Sequence, residues 1–140
     1  MGINDLVERL GQVPMFSGCS KKELTAIAKT VREINHPAGT VIASEGDPGA
    51  GLFIIFRGNA DVTIGGKRVN RLTDGDFFGE MALLDGGPRT ATVTATTDIQ
   101  LYALTEWVFR GLLVEHPTIA LRTLEAMAAR LRGATKTASA

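Results

Sequence analysis

Phe77-Phe78-Gly79-Glu80-Met81-Ala82-Leu83-Leu84, followed by Asp85-Gly86-Gly87-Pro88-Arg89-Thr90-Ala91, is the stretch around which this chain is organised. Gly79 has no Cβ, so the backbone can come close to a ligand there. Glu80 to Leu84 have the composition of one short helical turn. The free N–H groups at the start of such a turn favour bound negative charge. Arg89 follows a Gly-Gly-Pro loop and carries a planar donor fork suited to a phosphate. An ionised Glu80 can only accept hydrogen bonds, so it suits a sugar hydroxyl. A carboxylate for a hydroxyl, a guanidinium for a phosphate and amides between them describe a pocket for a nucleotide with one negative charge.

Outward from this stretch, from Thr40 to Leu104, short apolar or alternating runs are separated by glycine-bearing turns, the pattern of many short strands. Thr40–Ala43, Leu52–Phe56, Ala60–Ile64, Lys67–Leu72, Thr90–Thr96 and Ile99–Leu104 are the expected strands. In Thr90–Thr96, Ala91, Val93 and Ala95 alternate with threonines, so one face should be buried. Eight or so strands in so short a span imply two facing sheets, a jelly roll or related barrel.

Helices are expected on both flanks. Asn4–Val13 reads as an amphipathic helix, with Ile3, Leu6, Val7 and Leu10 on one side, closed by Gly11 and Pro14. Ser20-Lys21-Lys22-Glu23 has capping-box spacing and opens a second helix. That helix would bury Leu24, Ile27, Ala28 and Val31 and stop at His36-Pro37-Ala38-Gly39. Thr105 can cap Glu106–Glu115, with Trp107, Val108, Leu112 and Leu113 inward. Pro117 suits the first turn of a last helix carrying Leu121, Leu124, Met127, Ala128 and Leu131. Gly133 is the expected stop, and Ala134–Ala140 reads as a loose polar tail.

The 140 residues suit one ordinary domain, with 44% hydrophobic and 21% charged residues, as in soluble globular proteins. Lys+Arg and Asp+Glu balance at 15 each, giving no general pull toward nucleic acid or anionic membrane. One cysteine, Cys19, forms no disulfide framework and fits a reducing compartment. No apolar run approaches the roughly 20 residues of a membrane span, and no signal peptide is visible. A cytoplasmic location is expected, and Met1 with the polar tail is what a whole chain would show. The two histidines, His36 and His116, lie far apart, and no nucleophile set or phosphate-binding Walker loop can be assembled. The chain is therefore not expected to be an enzyme, to hold a metal or to need a catalytic cofactor. No basic recognition helix follows Arg132, so direct nucleic-acid binding is not expected either.

The run Phe78-Gly79-Glu80-Met81-Ala82-Leu83-Leu84 … Pro88-Arg89-Thr90-Ala91 resembles the phosphate-binding cassette of the cyclic nucleotide-binding domain family. The order of elements is similar from about Val13 to Arg132, and Gly39, Gly46, Gly58, Gly75 and Gly79 fall at the family's turns. The resemblance implies a mainly β fold with flanking helices (α+β). It consists of an eight-stranded antiparallel, jelly-roll-like β roll, two short N-terminal helices, a short cassette helix and two C-terminal helices. One domain is implied over 1–140: N-terminal helices to 36, a roll over 40–104 with its cassette at 78–91, C-terminal helices over 105–132 and a tail.

The resemblance also implies site roles. Glu80 would accept from the ribose 2′-hydroxyl. The amides near Met81 and Ala82, with Gly79 and Arg89, would hold the cyclic phosphate. Thr90 would stand between phosphate and base, and Ala91 would offer its backbone. Val62, Val69, Asn70, Leu72 and Phe78 are candidates for the pocket wall, and Arg130 or Leu131 for a cap over the base. The ligand would be cAMP, with cGMP the alternative. The chain would act as a sensor whose C-terminal helix signals to a protein partner or a second copy. An interaction module of the same fold that no longer binds nucleotide is the rival reading.

Overall fold

The alternation seen in the middle of the chain is realised as strands whose small and β-branched residues point inward. In β7 (Thr92–Ala95), Val93 and Ala95 are buried while Thr92 and Thr94 stay partly exposed. The computed structural model describes residues 2–48, 51–79 and 87–139. They divide into two compact units, one of residues up to Ala28 with Gly111 onward, the other Lys29–Arg110.

Among the described residues, the second unit has eight strands in two four-stranded antiparallel sheets. One sheet runs β1 (Arg32–His36), β8 (Ile99–Thr105), β3 (Gly51–Arg57), β6 (Phe77–Phe78). The other runs β2 (Val41–Ala43), β7, β4 (Ala60–Ile64), β5 (Lys67–Leu72). Their inner residues share one core, with Ile55, Phe78, Ile99 and Leu101 from the first sheet and Ala43, Ala60, Leu72, Val93 and Ala95 from the second. The β4–β5 hairpin has the boundaries expected from its alternation and its Gly65-Gly66 turn. All five glycines matched to family turns have positive φ, from +82° to +114°.

Two strands were not expected from the sequence. The second helix, α2 (Lys21–Ala28), ends eight residues before His36, and Arg32–His36 forms β1 instead. Val31 continues the helical spacing of Leu24 and Ile27, but the β-branched Thr30, Val31 and Ile34 favour extended backbone. A five-residue ladder with β8, from Arg32↔Ala103 to His36↔Ile99, decides the matter. β6 is two residues long and exists only through its pairing with β3.

In the first unit, α1 (Ile3–Gly11) buries Val7 and Leu10, and a 3₁₀ turn (Pro14–Phe16) buries Met15 and Phe16. The expected capping box is formed. The Ser20 N–H donates to Glu23 Oε1 at 2.8 Å and the Glu23 N–H to Ser20 Oγ at 3.2 Å. Glu23 Oε2 also meets His116 Nδ1. The Ser20 amide first, and then the Ser20 hydroxyl and His116, hold the Glu23 carboxyl below its usual range. Its folded value lies below the unfolded one, so its contribution is complete above about pH 4.5 and lost as pH falls through the lower folded value. Plotted as melting temperature against pH, wild type should therefore fall more steeply below pH 4.5 than Glu23→Ala; parallel acid limbs would contradict this.

α3 (Glu106–Glu115) is capped as expected, the Val108 N–H donating to Thr105 Oγ1 at 3.3 Å. Its inward side differs from expectation. Trp107 is 87% exposed, and Phe109 is buried in its place with Leu112. At about 100° per residue, Phe109, Leu112 and His116 share one face, and Trp107 stands opposite. α4 (Pro117–Ser139) runs through Gly133 to Ser139 rather than ending in a loose tail. One glycine costs a helix only about 1 kcal/mol, too little to end it without a C-cap. Among its described side chains, Ile119 and Thr123 are buried, while Leu121, Leu124 and Leu131 are exposed. No helix among the described residues is long and apolar enough to cross a membrane.

Candidate functional site

Arg89 is the centre of the site that the structure describes. Its backbone is clamped from both directions, its N–H donating to Asp47 O at 2.8 Å and its carbonyl accepting from the Gly46 N–H at 2.9 Å. A bridge between Pro48 and Pro88 continues this pairing. The turn at Gly46-Asp47-Pro48 thus carries the arginine in place, and Gly46 has the positive φ the turn requires.

The side chain is held as firmly as the backbone. Arg89 Nη2 donates to Gly51 O at 3.2 Å, and the guanidinium lies 5.6 Å from the centre of the Phe53 ring. Phe53 is in turn stacked on Phe78, centroids 5.1 Å apart. On the remaining side is Gly79, at φ +95°. A Cβ there would collide with Arg89 Nη1 and stand 2.7 Å from Gly51 O. So the missing side chain at Gly79 gives room to the arginine. A half-buried guanidinium ordered in this way has already given up much of its side-chain freedom, which lowers the cost of any further contact it makes.

Gly51, Phe53 and Asp47 contact or position Arg89 and were not picked out as site residues from the sequence, and Gly46 was picked out only as a turn glycine. Gly51 carried one signal, a glycine opening an apolar strand, which often marks close backbone approach. A Cβ at Gly51 would stand 2.8 Å from Leu104 O.

The other expected residues are distributed as follows. Glu80, Met81 and Ala82, with the expected cassette helix, lie outside the described residues. Thr90 is exposed and Ala91 partly buried at the entry to β7. Leu72 and Phe78 are buried in the core, with Val62 packed against it. Val69 and Asn70 are exposed on β5, a sheet edge, and Asn70 Oδ1 accepts from the Arg71 N–H at 2.8 Å. Arg130 and Leu131 lie on α4 in the other unit, Leu131 at 69% exposure.

Comparison with known proteins gives this arrangement its family. Residues 33–116 match the model of the cyclic nucleotide-binding domain. The cAMP-dependent protein kinase regulatory subunit of Aspergillus niger is 39% identical over 106 residues, covering 74% of this chain and 26% of that protein. The CRP-like cAMP-activated global transcriptional regulator of Mycobacterium tuberculosis is 32% identical over 132 residues, 89% of this chain and 58% of the regulator. The chain therefore spans from about a quarter to somewhat over half the length of these relatives. A solved structure of Sp-2Cl-cAMPS bound to PKAR CBD2 superimposes with a TM-score of 0.80 at 29% identity, covering 93% of this chain and 89% of that one. Clamped arginine, two-sheet roll and matched segment agree, and the chain belongs to the cyclic nucleotide-binding domain family.

Proposed function

We propose that the chain is a cAMP sensor, with cGMP the alternative ligand, and that it acts by regulation rather than catalysis. The observation that carries this reading is the ordered guanidinium of Arg89, fixed by Gly51 O, Phe53 and the space at Gly79. Arg89 and the amides near Met81 and Ala82 take the cyclic phosphate. Glu80 takes the ribose 2′-hydroxyl, Thr90 stands between phosphate and base, and Ala91 offers its backbone. The preference for cAMP rests on the relatives, two of which are named for it. The whole chain serves as one sensor module, in which α4 changes its packing on binding and signals to a protein partner or a second copy.

Thermal unfolding with no ligand, cAMP, cGMP and 5′-AMP tests the ligand. A ligand at about 100 times its dissociation constant adds roughly 2.7 kcal/mol, a rise of several degrees for a domain of this size. A rise with cAMP and none with 5′-AMP is expected. No rise with any of them would transfer the assignment to the interaction module without a ligand. Amide exchange along α4 with and without cAMP tests the output, and identical protection in both states would end the helix-repacking proposal.

A further inference from the structure

We infer that the junction of α3 and α4 is fastened to the start of α2 by a proton-sensitive clasp formed by His116 and Glu23. His116 is the residue at which one helix gives way to the next. Its N–H donates to Leu112 O at 2.8 Å, and its carbonyl accepts from the N–H groups of Ile119 at 2.9 Å and Ala120 at 3.3 Å. Its imidazole Nδ1 meets Glu23 Oε2. Glu23 is not free to turn away, because its other oxygen accepts the Ser20 N–H in the capping box.

The two segments touch at a second place. Gly18 lies so close to the Thr118 side chain that a Cβ would collide with the Thr118 methyl group. The first turn of α4 is seated as well, with Ile119 fully buried and Thr123 Oγ1 donating to Ile119 O at 2.9 Å. The clasp thus closes over an already fitted junction. Its side chains are only 19% and 33% exposed, for His116 and Glu23, so the pair is screened less than one in open water.

Hydrogen bonds with Ser20 hold the Glu23 carboxyl below its usual range, so it is ionised near neutrality. Burial first, and then the negative charge of Glu23, push the Cys19 thiol up, so it stays protonated near neutrality. Lys21 and Lys22 at the same end of α2, and Glu115 beside His116, are exposed. Histidine is the side chain that changes charge between about pH 5 and 8. With His116 protonated the clasp is an ion pair, and with it neutral only a hydrogen bond from the imidazole N–H to the Glu23 carboxylate.

Amide exchange of the full chain at pH 6 and pH 8, corrected for the intrinsic rate, tests the clasp at Ile119 and Ala120. In wild type these amides should be about two- to fivefold better protected at pH 6, the range of a partly exposed ion pair. Glu23→Gln keeps a capping-box side chain but removes the charge, and should show no such difference. Equal protection at both pH values in wild type, or an undiminished difference in Glu23→Gln, would overturn the clasp. Should Glu23→Gln fail to fold, His116→Gln makes the same test, and a retained pH difference there would overturn it equally.

Discussion

Arg89→Ala is expected to weaken cAMP binding at least tenfold. Charge-assisted hydrogen bonds contribute about 1.5–3 kcal/mol each, and about 1.4 kcal/mol is one decade of affinity. Truncation also removes the donor to Gly51 O and the cation over Phe53, so the melting temperature of the ligand-free variant must be measured alongside. Arg89→Lys separates charge from shape, since it keeps the cation and loses the planar fork. Its affinity should lie between wild type and Arg89→Ala by titration calorimetry. Unchanged affinity in Arg89→Ala, in a protein that is still folded, would remove Arg89 from the site.

Gly79→Ala should damage both stability and binding. An alanine at φ +95° holds a sparsely populated backbone conformation, which costs about 1–3 kcal/mol. Its Cβ would also strike Arg89 Nη1 and stand 2.7 Å from Gly51 O, so either the guanidinium or the strand start must shift. Gly39→Ala is the matched control. Gly39 has nearly the same φ, +91°, with nothing within 4 Å of its absent Cβ. Denaturant midpoints should fall for both variants, further for Gly79→Ala, and only Gly79→Ala should lose cAMP affinity as well. Equal affinity in the two variants would mean that the arginine tolerates displacement.

What was legible in the sequence was local. The Ser20–Glu23 capping box, the Thr105 cap, the Gly65-Gly66 hairpin and the alternation of β7 are each written within a few residues, and each is found. What was missed depends on partners distant in the chain. Arg32–His36 becomes a strand because β8, some seventy residues on, offers it a ladder. Phe77-Phe78 becomes one only against β3. Trp107 is large and apolar by type, yet the helix turns Phe109 inward. At the site, the cassette pattern pointed to Arg89 and Gly79, while Gly51 and Phe53 hold the arginine from a different strand. Their part follows from the sheet, which brings the start of β3 beside Gly79.

Trp107 is the chain's one tryptophan and stands almost wholly in water. Its emission in the native protein should already lie close to that of the denatured chain, so intrinsic fluorescence is a poor reporter of unfolding here. Circular dichroism is the better probe for the melts described above. The same exposure makes the indole a sensitive optical marker of anything that settles on that side of α3, because a covering surface would shift its emission to the blue.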